Sequence, residues 1–305
     1  MKLALKKVDI VEVGPRDGFQ NIMKFIPTEV KLQIIEGLID AGVKKMEITS
    51  FVNPKAIAQM ADASDITGTI LAQKYQNFQP IALVPNFVGA KKAYQLGIKE
   101  VSFVISISQA HNQANIRRTH EQSFAELKQI LDEFPGLTVR VDAATAFGCP
   151  FAGEVSDELI LQYLDTVADM GVKEVVLCDT IGVGNPEQVA RIARMVQERY
   201  CGIAFGLHLH DTRGLGLANT LAGLQAGMTT IEVAVGGLGG CPFAPGASGN
   251  TATEDLLNML HGMKIETGID MDKYMQVVEL VKQHIQPTLS SHMATICKPQ
   301  VSPLN

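Results

Sequence analysis

The sequence has no run of apolar residues approaching the roughly 20 needed to cross a bilayer, so no spanning helix is expected. Its opening, Met1-Lys2-Leu3-Ala4-Leu5-Lys6-Lys7, is too short for a secretory signal, and a cytoplasmic location is the expectation. Positive charge is not in excess either. Lys and Arg number 26 against 32 Asp and Glu, a formal net charge of -6, which argues against nucleic-acid binding through a basic face. A local basic patch for a phosphorylated ligand stays compatible with that balance. The five cysteines, Cys149, Cys178, Cys201, Cys241 and Cys297, are odd in number and contain no CxxC pair. Neither a disulfide framework nor structural zinc is expected, and at least one thiol should be free. No glycine-rich dinucleotide fingerprint joins a strand to a helix, so no nicotinamide cofactor is assigned.

What is present is an ordinary globular composition, 46% hydrophobic and 19% charged over 305 residues, long enough for a large core. Strand patterns occur at Val8–Val13, Lys45–Ser50, Pro80–Pro85, Glu100–Ile105, Leu137–Val141, Glu174–Cys178, Ile203–His210 and Thr230–Val235. Helical patterns separate them; the first begins at Pro27-Thr28, repeats Leu32, Ile35, Leu38 and Ile39 on one face, and stops at Gly42. Eight such strands, each returned by a helix, predict a parallel sheet closed into a (β/α)8 TIM barrel. No composition shift starts a second domain, so residues 1–305 are read as one. The glycine-rich loop from Gly236 to Gly249 and two helical stretches, near Thr251–Met263 and Met271–His284, are expected to complete the site. The tail from Lys298 to Asn305 is expected to be frayed.

An internal pattern agrees with the count. Ala41-Gly42-Val43, Leu96-Gly97-Ile98, Met170-Gly171-Val172 and Ala226-Gly227-Met228 each precede an even-numbered strand, a period of two βα units. Recurrent turn chemistry at helix ends accounts for this equally well.

Polar residues at the C-terminal ends of barrel strands converge on one mouth. His208 and His210 project from one face of strand seven while Leu207 and Leu209 face the other way. Such a pair can be two hydrogen-bonded core histidines or a metal site. Asp17 after strand one and Asn250 after Gly249 each suit a turn or cap when taken singly. Taken together, Asp17, His208, His210 and Asn250 offer one carboxylate, two imidazoles and one amide oxygen. Two positions of an octahedron remain for exogenous oxygens, a set that suits Mg²⁺ or Mn²⁺. Arg16, Glu47, Ser50, Asp179 and Cys241 should lie at the same mouth.

Gly14-Pro15-Arg16-Asp17-Gly18-Phe19-Gln20-Asn21, Glu47-Ile48-Thr49-Ser50-Phe51, Asp179-Thr180-Ile181-Gly182, His208-Leu209-His210-Asp211-Thr212, Gly236-Gly237-Leu238-Gly239-Gly240-Cys241-Pro242 and Gly249-Asn250 together resemble the 3-hydroxy-3-methylglutaryl-CoA lyase family, from about Val8 to Cys297. More broadly the chain is similar to metal-dependent TIM-barrel lyases and Claisen-condensing enzymes. The resemblance implies retro-Claisen cleavage of a 3-hydroxyacyl-CoA, with Asp17, His208, His210 and Asn250 holding a divalent metal and Arg16 neutralising the enolate. It implies proton-transfer roles for Cys241, Glu47, Asp179 and His208, and a glycine loop that closes over substrate. Gln20, Ser50 and Asp142 are the candidates for substrate contact. A homo-oligomer is also implied, with no partner beyond the small acyl-CoA.

Two departures concern the acyl group. Where the family usually has an aromatic residue followed by Val-Ser-Cys, this chain reads Asp142-Ala143-Ala144-Thr145, and where many relatives have Ser-Glu it has Ser108-Gln109. An extra carboxylate at Asp142 would repel an anionic acyl chain unless paired. Citramalyl-CoA, which would release pyruvate, is therefore an alternative substrate. A Claisen-condensing acyltransferase is a second alternative, though those relatives usually carry C-terminal extensions and this sequence stops at Asn305. A barrel that binds acyl-CoA without turnover is a third. For the CoA phosphates, His111, Arg117 and Arg118 are candidates, with a solvated basic stretch the equal alternative.

Overall fold

Local chemistry in the computed structural model shows why the helices form where they do. The helix Pro186–Arg199 starts on Asn185, whose side chain accepts a hydrogen bond from the Gln188 N–H, and on Pro186, which has no N–H to lose. It buries Val189, Ile192, Ala193 and Val196 on one face, at helical spacing. Ser156 caps Asp157–Asp169 in the same way, and Thr119 and Gln122 form a reciprocal capping box at the start of His120–Glu133.

Residues 5–240 and 249–296 are described. Cys241 and Cys297 therefore lie outside the described residues, as does most of the glycine-rich loop. The strands are β1 (Asp9–Glu12), β2 (Lys45–Ser50), β3 (Gln79–Leu83), β4 (Glu100–Ser106), β5 (Thr138–Ala144), β6 (Glu174–Asp179), β7 (Ala204–Leu209) and β8 (Thr230–Val233). They pair in parallel in chain order, and β8 closes on β1, giving the expected (β/α)8 barrel. Helices α1 (Thr28–Asp40), α2 (Ala63–Ala72), α3 (Phe87–Leu96), α4 (Gln109–Ile116), α5 (His120–Glu133), α6 (Asp157–Asp169), α7 (Pro186–Arg199) and α8 (Gly216–Gln225) surround it, followed by α9 (Thr253–Gly262) and α10 (Met271–His284). No helix among the described residues is long and apolar enough to cross a membrane.

Three differences from the sequence reading matter for the site. β1 ends at Glu12, and Gly14–Gly18 winds into a fully buried π-helical turn in which the Asp17 N–H reaches back to Val13 at 2.7 Å. β5 runs on to Ala144, which puts Asp142 on the strand and not after it. β2 carries a register shift between Glu47 and Thr49, a local kink that re-aims its side chains.

Packing fastens the C-terminal helices to the barrel through Glu12. Its carboxylate accepts from Gly14 N at 2.8 Å, Val235 N at 2.9 Å, the Thr253 hydroxyl at 2.8 Å and the Tyr274 hydroxyl, all buried. One side chain thus ties the turn after β1, the chain after β8, α9 and α10 together. Removing it would orphan four buried donors, each costing about 1–3 kcal/mol.

Candidate active site

The inside of the barrel is polar where β2, β4, β5 and β8 face one another. Arg140 on β5 is 1% exposed and lies 3.0 Å from Glu47, 2.7 Å from Glu232 and 3.5 Å from Asp142. It also donates to the Ser102 hydroxyl at 2.7 Å, and Ser102 in turn bonds Glu47. Charges this deep persist only when paired, because desolvation costs several kcal/mol per ion. The other oxygen of Glu47 accepts from Arg16 Nε at 2.6 Å, so the network ends on the arginine at the mouth. Burial works against the charge of Arg16, but Glu47 and Asp17 beside it more than restore it and raise its pKa.

Donor atoms of Asp17, His208 and His210 lie within 4.8 Å of one another. Burial alone would keep Asp17 protonated; Arg16 and the two histidines overcome it and hold the carboxyl at about 2. Arg16 Nη1 and Gln20 Nε2 share its Oδ1, at 2.6 and 2.7 Å. Glu232 Oε2 sits 3.0 Å from His208 Nδ1, fixing the ring and leaving Nε2 as its remaining donor atom. Burial, followed by the neighbouring His208, pushes His210 down to about 4, which favours its neutral imidazole; His208 shifts the other way, its burial outweighed by the bond to Glu232, and would give up its Nε2 proton on ligating. Asn250 is bridged to His210 in the backbone and donates to Asp17 at 2.6 Å and to the Leu238 carbonyl at 2.9 Å.

Among Asp17, His208, His210 and Asn250, two buried atoms make no hydrogen bond: His210 Nδ1 and Asn250 Oδ1. Leaving buried donors and acceptors unpaired is costly, and the two groups that flank Asp17 are of the type a divalent cation takes up. The residues present therefore fit a metal bound by Asp17, His208, His210 and Asn250, with no thiolate among them. Gly239 permits the arrangement. At φ 124° it lies so close that a Cβ would come within 2.5 Å of Asn250 Nδ2. Gly249 packs equally tightly on Gly239, so the roots of the undescribed loop touch beside the site.

A cavity of about 690 Å³ opens over these groups, lined by Arg16, Asp17, Gln20, Asp142, His208 and His210 among others. It is large enough for a small acyl group and part of a carrier. Glu47, Asp179 and Ser50, expected at the mouth, do not line it. Glu47 is spent on Arg16, Arg140 and Ser102. Both oxygens of Asp179 accept backbone N–H groups, Val183 and Gly184 at 2.9 Å each, and so shape the turn after β6; burial raises its pKa. These two carboxylates hold neighbours in place and present no oxygen to the cavity. Ser50 is 2% exposed.

The candidates for CoA phosphate separate. His111 is buried, bonded to Ser106 at 2.7 Å, and pushed down by burial to about 4. It lines the cavity as a neutral ring and brings no positive charge to a phosphate. Arg118 is ion-paired to Glu126, and Arg117 closes α4 in the left-handed conformation. Gln109 accepts from the His120 N–H at 2.8 Å, joining α4 to α5.

Sequence reasoning missed Arg140, Ser102 and Glu232. For Arg140 and Glu232 the available signal was a charged residue flanked by apolar ones within a strand, as in Val139-Arg140-Val141 and Ile231-Glu232-Val233; Ser102 carried no such signal.

Fold and mouth together define a class: a (β/α)8 barrel with a cation-ready nitrogen and oxygen donor set beside a buried arginine at the C-terminal ends of its strands. The HMGL-like family model matches residues 7–281, and the chain belongs to that family. It is 40% identical over 296 residues to mouse mitochondrial hydroxymethylglutaryl-CoA lyase, covering 96% of this chain and 90% of the mouse protein. It is 39% identical to hydroxymethylglutaryl-CoA lyase YngG of Bacillus subtilis, covering 96% of this chain and 98% of that protein. An HMG-CoA lyase of Acenitobacter baumannii, solved with coenzyme A and 3-methylmalate, superposes with a TM-score of 0.91 at 37% identity over 98% of both chains.

Proposed function

We propose that this chain is a divalent-metal-dependent carbon–carbon lyase that splits 3-hydroxy-3-methylglutaryl-CoA into acetyl-CoA and acetoacetate. The observation that carries the reading is the convergence of Arg16, Asp17, His208 and His210 on one cavity, with Asn250 bonded to Asp17 behind them, in a chain about 40% identical to named lyases of that substrate.

In the reaction the 3-hydroxyl loses its proton, the bond between C2 and C3 breaks, and the ketone leaves. Its electron pair passes to the thioester enolate, which takes a proton at C2 to give acetyl-CoA. A bound Mg²⁺ or Mn²⁺ would supply Lewis acidity that lowers the pKa of the substrate hydroxyl.

The chain's own residues divide the remaining work. Glu47 aims the Arg16 guanidinium at the mouth, where a fixed positive charge stabilises the developing enolate oxygen without reorganisation. Glu232 holds His208 in one tautomer. Gln20 anchors Asp17 from the rim. Cys241, outside the described residues, is proposed to deliver or remove a proton from the loop rooted at Gly239 and Gly249, a step worth about 10²–10⁴ in rate.

Incubation with 3-hydroxy-3-methylglutaryl-CoA and citramalyl-CoA side by side tests the reading, with acetoacetate and pyruvate measured separately. Acetoacetate from the first, dependent on added Mg²⁺ or Mn²⁺, is expected. Pyruvate alone would transfer the assignment to citramalyl-CoA, and full turnover in metal-free protein would end the mechanism.

A further inference from the structure

Arg140 does not line the cavity, yet both sides of the mouth lead back to it. It lies inside the barrel on β5 and is fully buried. Its guanidinium divides: Nη2 reaches Glu47 Oε1 at 3.0 Å and the Ser102 hydroxyl at 2.7 Å, while Nη1 lies 2.7 Å from Glu232 Oε1. Nε faces Asp142 Oδ1, on its own strand, at 3.5 Å.

Each of the two glutamates turns its second oxygen toward the mouth. Glu47 Oε2 accepts from Arg16 Nε at 2.6 Å, and Glu232 Oε2 sits 3.0 Å from His208 Nδ1. Arg16, Glu47, Arg140, Glu232 and His208 thus form one unbroken chain across the barrel. The glutamates come from β2 and β8, which pair with β1 on either side, and β1 leads into the turn that carries Arg16 and Asp17. Strands two apart are roughly 10 Å from each other at the backbone. A planar fork with nitrogens at separate points can bridge carboxylates arriving from both; an ammonium concentrates its charge at one point and cannot hold both in the same geometry.

Resting on the lyase reading above, we propose that Arg140 is a positioning residue for both halves of the reaction. Through Glu47 its fork fixes the guanidinium that meets the enolate, and through Glu232 it fixes the imidazole offered to the metal. The spacing between Arg16 and His208 is set from behind by one side chain. Its charge keeps the buried glutamates compensated, which the fold requires. Its shape places them, which the chemistry requires.

Arg140→Lys separates the two contributions, because it keeps the charge and removes the fork. Melting temperature reads the fold, calorimetry reads Mn²⁺ affinity, and kcat and KM for 3-hydroxy-3-methylglutaryl-CoA are taken at saturating Mn²⁺. In metal-free protein, nitrogen NMR of labelled histidine and arginine reads the His208 Nδ1 and Arg16 Nε bonds without turnover. The expected protein is folded, has lost at least about tenfold in both Mn²⁺ affinity and kcat, the range for groups that support a ligand from behind, and shows both nitrogen signals shifted with KM little changed. Wild-type values in Arg140→Lys would reduce Arg140 to a counter-charge, and a loss on one side alone would confine it to that side; either result overturns the proposal. If Arg140→Lys does not fold, Arg140→Gln is combined with Glu232→Gln, removing one charge of each sign, and compared with Glu232→Gln alone. A further fall of about tenfold in kcat at saturating Mn²⁺ is then expected, and no further fall overturns the proposal. A wild type that cleaves no thioester would sink the lyase reading, and the Mn²⁺ affinity and nitrogen signals would still decide the role of Arg140.

Discussion

Arg16 and Arg140 share one carboxylate: Glu47 receives Arg16 Nε at 2.6 Å on Oε2 and Arg140 Nη2 at 3.0 Å on Oε1. The arginine at the mouth is therefore aimed by a residue that never touches the cavity. Arg16→Ala should lower kcat by about 10²–10³, the usual cost of one preorganised donor to an oxyanion. Glu47→Gln should lower kcat by a smaller factor, because it turns one acceptor oxygen into a donor facing a guanidinium. Steady-state kinetics with metal analysis checks both. Bound Mn²⁺ should stay near wild type, and a parallel fall would show that the bond from Arg16 to Asp17 was the one that mattered.

Glu232 orients a proposed metal ligand from behind, through His208 Nδ1. Glu232→Gln should weaken Mn²⁺ binding by about 10–100-fold, the range seen for such supporting groups. Calorimetric titration measures it, and an unchanged dissociation constant would mean that the carboxylate serves Arg140 alone.

Chelation should abolish turnover, and Mg²⁺ or Mn²⁺ should restore it. A cation that binds only the folded protein also stabilises it, by about 2.7 kcal/mol at a hundred times its dissociation constant. Melting temperature should rise by several degrees on adding Mn²⁺ to wild type and not to His210→Ala.

Glu254 supplies a pH-dependent stability. Its Oε2 accepts from Gly236 N at 3.0 Å, and burial moves its carboxyl up to about 7. An acid with a raised folded pKa binds more protons folded than unfolded, so wild type should lose stability as pH climbs from the unfolded value near 4.5 through about 7. Glu254→Gln keeps the acceptor and removes the titration. Its melting temperature relative to wild type should rise across that window and level off above it; a difference independent of pH would assign Glu254 a purely steric role.

The barrel was legible from periodicity because each strand needed only its own residues to declare itself. Asp17, His208, His210 and Asn250 were legible as a set because β-strand alternation and the strand ends of a barrel fix where such side chains point. Glu47 and Asp179 were placed at the mouth by the same reasoning, yet neither lines the cavity. Position on a strand does not say whether a carboxylate is already taken.

That difference marks what each level determined. The sequence alone set the eight-strand order, the His208-Leu209-His210 alternation and the Arg16-Asp17 turn, all consequences of spacing along one strand or one turn. Only the tertiary structure decided which charges were spent. Glu47 meets Arg140 across 93 residues, His208 meets Glu232 across 24, and Asp17 meets Asn250 across 233. A buried charge takes its role from the partner that stabilises it, and closure of the barrel brings these partners together from different strands and loops.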